Sequence, residues 1–428
     1  MKRTLHRLAL NPVFRIAALA LAVALGVSVW NFWKNPDRTA YKATVVPLPQ
    51  ELGAHFAFSP SGDAVAGCTD NNQLAVTFLS MSSEGAAVKL SRVLPLPPNA
   101  LCAPFIWSPD GKQLLMPRVI GSMEGSAAGF LLFKPEKPQE TEFIRLPGGV
   151  DPNLLMSWSP DGKMVAYIAG VRTRQLGGLW LFNLPKRTAR QLVLGVIQSP
   201  TFSLKGDRLY FAEDVALVPH AQYDAERDDW PHVWGLGSVS VSGGKPTYHA
   251  KWNQGSLMPP NDRLLAAVNG GMRYIRYFRA LAGEKVELWE QPEAGQTRRI
   301  QTIQMEAKHL NRGVRWSKDG QRILFVDYVA AAAPNRLQFM DVATGRRETV
   351  IDGAGAVNNQ PQKEEVIGRS WEDPAISPDG LWGVSTRSWV TLGVEADEGA
   401  GHDEDEGPTP KVDETTAKPY LLRLPPLP

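Results

Sequence analysis

The chain has 428 residues, 43% of them hydrophobic and 21% charged, with 46 Lys and Arg against 44 Asp and Glu. That composition excludes a disordered chain and a polytopic membrane protein, and a formal charge of +2 offers no basic field for nucleic acid. Thirty-eight glycines and 34 prolines without a collagen period mean many turns, and so many short elements rather than long helices.

Lys2, Arg3, Arg7 and Arg15 give the chain a basic start with no acid among them. Ile16 to Trp33 follows without a charge, and as a helix at about 1.5 Å per residue it is about 27 Å long, near the depth of a thin hydrocarbon core. Trp30, Phe32 and Trp33 before Lys34 have the order of an interfacial aromatic belt and a snorkelling cation. The segment reads as a basic cytoplasmic tail over 1–15, a transmembrane signal anchor over 16–33 and a linker over 34–43. The excess of positive charge keeps the N-terminus inside and places the body on the periplasmic or extracellular side of the cytoplasmic membrane. A cleaved signal peptide ending near Gly26-Val27-Ser28 is the alternative, and it exports the body equally well.

A repeat organises residues 44–428. It reads Ser59-Pro60-Ser61-Gly62, Ser108-Pro109-Asp110-Gly111, Ser159-Pro160-Asp161-Gly162, Ser203-Leu204-Lys205-Gly206, Ser317-Lys318-Asp319-Gly320 and Ser377-Pro378-Asp379-Gly380. Pro259-Pro260-Asn261-Asp262 stands as a degenerate copy in the one long gap. A large apolar residue precedes each copy: Phe58, Trp107, Trp158, Phe202, Met258, Trp316 and Ile376. Proline presets φ at the second position, Asp or Asn bonds back to the backbone, and glycine accepts positive φ, so each copy is a hairpin turn between two strands. Trp107, Trp158 and Trp316 are then core residues. Second turns follow at Leu184–Arg187, Ser242–Lys245, Glu293–Gln296 and Ala343–Arg346. Four strands in about 50 residues make a propeller blade. The expected fold is all-β, a seven-bladed β-propeller behind one transmembrane helix, with six or eight blades as alternatives.

These Ser-Pro-Asp-Gly hairpins resemble the WD40-like propeller repeats of the bacterial TolB and dipeptidyl-peptidase type. The resemblance covers about residues 44–428 and implies blade architecture. TolB-like proteins carry an α/β domain ahead of the propeller, and only residues 34–43 stand there. The peptidases carry an α/β-hydrolase domain, and the chain has neither room for one nor a Gly-x-Ser-x-Gly elbow. Activity is therefore left open by the resemblance.

The last blade has too few strands after Gly380, and Lys42 to Pro49 resembles the outer strand Leu90 to Pro97. It is expected to complete that blade and close the ring. With strands lettered A to D from the axis outward, the A–B and C–D turns share one face and the B–C and D–A connections share the other. The long insertions, Glu213 to Val233, Val350 to Trp371 and Val394 to Lys418, all fall on the second face, which makes it the candidate binding surface. Cys68 and Cys102 fall there too, on adjacent blades, either as a disulfide or as two separate buried thiols.

Specific sites are weakly marked. The acidic loop 394–418 holds Asp403, Glu404 and Asp405 among nine acids and two lysines, a net charge of −7. A solvated loop is the plain reading; a calcium or basic-partner site lacks the spaced Asp-x-Asp order that fixed geometry requires. The blade-four loop holds His220, Asp224, Trp230, His232 and Trp234, whose spacing fits no short zinc motif. The two tryptophans either cover the loop base or contact a partner. No catalytic residue, metal or cofactor is expected. Inner-strand segments are apolar, without the His, Asp, Glu and Arg set of a propeller enzyme. The favoured reading is a membrane-anchored, non-catalytic propeller binding an envelope protein or polymer. The alternatives are a hydrolase or lyase at the channel mouth and a ligand-sensing ectodomain.

Overall fold

In the computed structural model the described residues are 38–49, 52–69, 71–82, 85–98, 100–118, 129–146, 156–169, 178–214, 232–254, 265–280, 283–304, 314–327, 336–352, 366–392 and 410–425. The basic tail and the apolar segment 16–33 lie outside them. Among the described residues no helix is long and apolar enough to cross a membrane.

The described residues begin with β1 (Arg38–Ala43) and β2 (Val45–Pro47) and go on to build seven sheets. Blade one is β3 (Ala54–Phe58), β4 (Ala64–Cys68), β5 (Leu74–Met81) and β6 (Ala86–Leu94). Blade two is β7 (Ile106–Trp107), β8 (Leu114–Arg118), β9 (Gly129–Phe133) and β10 (Glu142–Arg145). Blade three is β11 (Ser157–Trp158), β12 (Met164–Ala169), β13 (Gly178–Asn183) and β14 (Thr188–Leu194). Blade four is β15 (Val196–Phe202), β16 (Arg208–Asp214), β17 (His232–Ser240) and β18 (Thr247–Gln254). Blade five is β19 (Leu265–Val268), β20 (Gly271–Ala280), β21 (Gly283–Pro292) and β22 (Arg298–Gln304). Blade six is β23 (Arg315–Trp316), β24 (Arg322–Asp327), β25 (Arg336–Asp341) and β26 (Arg347–Asp352). Blade seven is β27 (Val366–Ile376), β28 (Trp382–Leu392) and β29 (Pro410–Arg423), with β2 as its outer strand. The fold is a seven-bladed β-propeller.

Closure runs as the spacing required. Val45, Val46 and Pro47 pair antiparallel with Leu422, Leu421 and Tyr420. The segment does more than close a blade. Arg38–Ala43, expected as linker, pairs parallel with β26 as a fifth strand of blade six, from Arg38 beside Arg347 to Ala43 beside Asp352. One extended stretch, broken only at Thr44, thus serves two adjacent blades. Ala43 and Val45 are buried in one apolar cluster with Leu324, Leu337, Val350, Tyr420 and Leu422 of both blades.

The repeat turns are held by their serines. Ser159 Oγ donates to Asp161 Oδ1 at 2.6 Å and accepts from Met164 N–H at 2.8 Å. Ser108 repeats this with Asp110 (2.6 Å) and Gln113 N–H (2.9 Å), as do Ser317 and Ser377. Where the third position is not aspartate, an acid two residues further takes the bond: Ser59 Oγ donates to Asp63 and Ser203 Oγ to Asp207, each at 2.8 Å. All six serines are buried, at 1–7% exposure. The serine hydroxyl holds the Asp110 and Asp161 carboxyls below the usual carboxylate range. The six turn glycines have φ between +66° and +78°.

Adjacent turns also interlock around the ring. The Cδ of Pro60 lies 3.6 Å from where a Cβ on Gly111 would stand, and Pro109 against Gly162, Pro160 against Gly206 and Pro378 against Gly62 repeat the contact. Blades five and six lack the proline and use arginine instead. Arg273 Nη1 donates to the Gly320 carbonyl at 2.6 Å, and Arg322 Nη1 to the Gly380 carbonyl at 2.5 Å.

Blade five departs from the repeat in another way. The copy expected at Pro259–Asp262 lies outside the described residues, and the A–B turn is Asn269-Gly270, between Val268 and its partner Gly271. Two residues suffice there because Asn-Gly supplies a tight hairpin by itself. Trp107 and Trp158 are buried core; Trp316 is half-buried against it. Trp107 Nε1 also donates to the Ala57 carbonyl of blade one at 3.1 Å.

Candidate binding face

The three long connections open on the face opposite the repeat turns, between Asp214 and His232, Asp352 and Val366, and Leu392 and Pro410. Their spans are shorter than the sequence implied, because strand pairing continues into them. Glu213 pairs with Gly235 and Asp214 with Trp234 in the ladder of β16 and β17. Pro410–Lys418, the end of the acidic segment, belongs to β29, where Asp413 pairs with Trp389.

This changes the expected site. Trp234 is not an exposed partner contact: it lies within β17 and is fully buried in the core of blades four to six. His232 is likewise a strand residue, paired with Gln254. The sequence hid this because the acids and prolines before Val233 dominate the stretch, while burial of Trp234 comes from strands distant in the chain. Glu213 is nearly buried and accepts a hydrogen bond from Tyr248 Oη; burial and that carboxylate raise the Tyr248 phenol well above its ordinary value. His220, Asp224, Trp230, Asp403, Glu404 and Asp405 lie outside the described residues. Among the described residues no three His, Cys, Asp or Glu gather as a metal site.

The best-defined feature of this face is one the sequence marked only by its cysteines. Cys68, at the end of β4, is bonded to Cys102 in the connection from blade one to blade two, with Cα atoms 5.8 Å apart. Beside the bond, the turn between β4 and β5 places Asn72 at φ +56°. Thr69 fixes that turn, its carbonyl accepting from Asn72 N–H at 2.9 Å and its hydroxyl from Gln73 N–H at 2.9 Å. Asn72 then spends its whole side chain on the neighbouring loop. Nδ2 donates to the Ala100 carbonyl at 3.1 Å, and Oδ1 accepts from Cys102 N–H at 2.7 Å.

Between those two anchored residues stands Leu101, 73% exposed. Ala100 and Phe105 on either side are buried, so the loop is rooted in the core while its tip faces solvent. Leu94 to Pro104 carries no charge. Asn in a short polar turn was the available signal for the clamp, but its partner lies in another connection and sequence spacing alone does not pair the two.

The inner strands are less uniformly apolar than the sequence reading held. β3, β15 and β27 each bulge before their turns, and two of the bulges hold residues at positive φ, His55 at +56° and Ser199 at +50°. His55 is exposed on the inner strand of blade one. β27 starts ten residues before Ile376 and includes Arg369, Glu372 and Asp373. The A strand of blade seven takes in these polar residues because its pairing with β28 continues beyond the apolar segment near the turn.

Fold and face together define a propeller with one plain face of interlocked turns and one elaborated face. The β-propeller domain of Cps50 (Swd1) from Myceliophteria thermophila is similar over 90% of this chain and all of its own, at 11% identity and a TM-score of 0.53. TolB from Acinetobacter baumannii is similar over 70% of this chain at 15% identity and a TM-score of 0.41, and the match spans 64% of TolB. The acylaminoacyl peptidase of Pyrococcus horikoshii matches over 68% of this chain and 44% of its own, at 11% identity and a TM-score of 0.45. No protein-family profile matches the sequence, and no curated protein matches it. The likeness to the Cps50 (Swd1) domain supports the propeller fold.

Proposed function

We propose that the chain is an exported, membrane-anchored, non-catalytic propeller that binds an envelope protein or polymer through its elaborated face. The observation that carries this is the Leu101 loop. A disulfide and a doubly bonded asparagine fix a solvent-exposed leucine on the face that also bears the long connections. Rigid, pre-ordered apolar tips bind at lower entropic cost than mobile ones. A disulfide fits an oxidising compartment, which agrees with the exported reading of residues 1–33. Arg38 lies beside Arg347, just past the Ala343–Arg346 turn, so the described chain begins at the plain face. An anchor there would point the elaborated face away from the membrane.

The test is a photo-crosslinker placed at position 101, compared with one at Lys245 on the plain face, followed by binding measurements with the purified crosslinked partner. Leu101→Asp should weaken that binding at least about tenfold, as loss of a central apolar anchor does, while leaving the melting temperature unchanged. Equal crosslinking at both positions, or full binding by Leu101→Asp, would reject the face.

A second reading, an enzyme with its site at the channel mouth, is favoured by one observation: the bulged inner strands with His55 and Ser199 at positive φ, since strained backbone of this kind clusters at active sites. Hydrolase or lyase turnover abolished by His55→Ala would support it over the first.

A further inference from the structure

At the elaborated end of blade two, β8, β9 and β10 lie side by side. Gly129 pairs with Arg118 on one flank and with Arg145 on the other. Residues directly opposite each other project to the same side of a sheet, so the two arginines flank a position that has no side chain. Two strand spacings put their Cα atoms about 10 Å apart. The Phe143 ring fills the gap, its Cε2 and Cζ lying 2.7 and 2.8 Å from where a Cβ on Gly129 would stand. The Arg118 guanidinium rests over that ring, 5.2 Å from its centre.

Both arginines are short of acceptors. Arg118 is half-buried; its Nη2 donates one long bond, 3.4 Å, to the Pro98 carbonyl, and its Nε is buried with no hydrogen-bond partner. Arg145 is exposed. Among the described residues neither arginine forms an ion pair. Arg187, Arg298, Arg299 and Arg346, by contrast, each meet a glutamate. Withdrawing a guanidinium from water without a counter-charge costs free energy, and the ring beneath it returns only part. An incoming carboxylate would supply the rest. Pro98 belongs to the uncharged loop that carries Leu101, so the cations and the apolar tip share one surface.

We infer that this notch binds an acidic segment of a partner protein, with carboxylates on Arg118 and Arg145 and an apolar side chain against Leu101. The inference rests on the reading of the elaborated face as the binding surface. A guanidinium takes a carboxylate through two parallel N–H donors. The spacing of about 10 Å suits two acids on an extended chain rather than one small anion, since alternate residues lie about 6.6 Å apart and the side chains cover the difference. Leu101 favours a protein over an anionic polysaccharide, which has no aliphatic side chain to set against it.

The experiment is fluorescence anisotropy on the full chain with a labelled octapeptide of alternating glutamate and leucine. A glutamine–leucine octapeptide and polygalacturonate are the comparators. The acidic peptide should bind, more weakly as salt rises, and the glutamine peptide should not. Arg118→Gln and Arg145→Gln should each weaken binding at least about tenfold. Arg145→Glu reverses an exposed charge and should abolish binding, which keeps the test decisive if Arg118→Gln fails to fold. Arg118→Lys, which keeps the charge and loses the paired donors, should restore only part. No binding of the acidic peptide, equal binding of the glutamine peptide, or full binding by the arginine variants would overturn the inference, as would polygalacturonate binding in the peptide's place. Leu101→Ser separates this inference from the reading beneath it. Loss of binding in Leu101→Ser with full binding in the arginine variants rejects the notch and keeps the face; the reverse keeps the notch and rejects Leu101 as the anchor of the face.

Discussion

The hydroxyl of Ser159 holds both ends of a hairpin, through the Asp161 carboxylate and the Met164 amide, from a site that is 1% exposed. Proline and glycine mark such turns in the sequence, yet they only favour the backbone path; the serine is what leaves polar groups unsatisfied when removed. Ser159→Ala should therefore cost about 1–3 kcal/mol in urea unfolding, more than Pro160→Ala, because a partly buried amide loses its partner. An equal cost for the two would mean that the turn is set by backbone preference alone. At this scale the turns were legible because their chemistry is local. Trp234 and Asn72 were not. Trp234 is buried by contacts between blades, and Asn72 acts on a carbonyl 28 residues away. Blade five shows the same boundary: its Asn269-Gly270 turn is a plain local signal, but Pro259–Asp262 lies nearer the repeat spacing and masks it.

The disulfide joins elements rather than residues, tying the end of β4 to the loop before β7 across a separation of 34 residues. By the chain-entropy argument a closed loop of that size is worth about 2–4 kcal/mol. Changing both cysteines to serine should lower stability by that amount, in denaturant titrations of the oxidised wild type against the variant. Two free thiols in the untreated protein, counted by alkylation and mass spectrometry, would contradict the bond itself. β1 and β2 divide a second stabilising role. Deleting 38–43 removes a parallel fifth strand and leaves seven complete blades, so a folded, somewhat less stable protein is expected. Deleting 38–47 also exposes the edge of β29 and should give aggregation. Closure could be anticipated because blade seven was a strand short. β1 could not, since blade six already had its four strands and nothing in a six-residue stretch announces parallel pairing to an outer edge.

The whole molecule is a ring with two unlike faces and one unlike junction. Interlocked turns make the plain face a collar broken at one junction, between blades four and five, away from the place where the chain ends meet in blade seven. The missing turn contact and the non-covalent closure of the ring by β2 thus fall at different places on the circumference. The closing strand also has a consequence in time. Val45 pairs with Leu422, a partner made 377 residues later. At roughly 5–20 residues per second, synthesis leaves that strand waiting about 20–75 s with its hydrogen-bonding edge unpaired. Through that interval the early blades can assemble in order, but the circle cannot exist. The nascent chain is an open arc until its last strands emerge, and its exposed first strand is then the point most in need of protection by a chaperone.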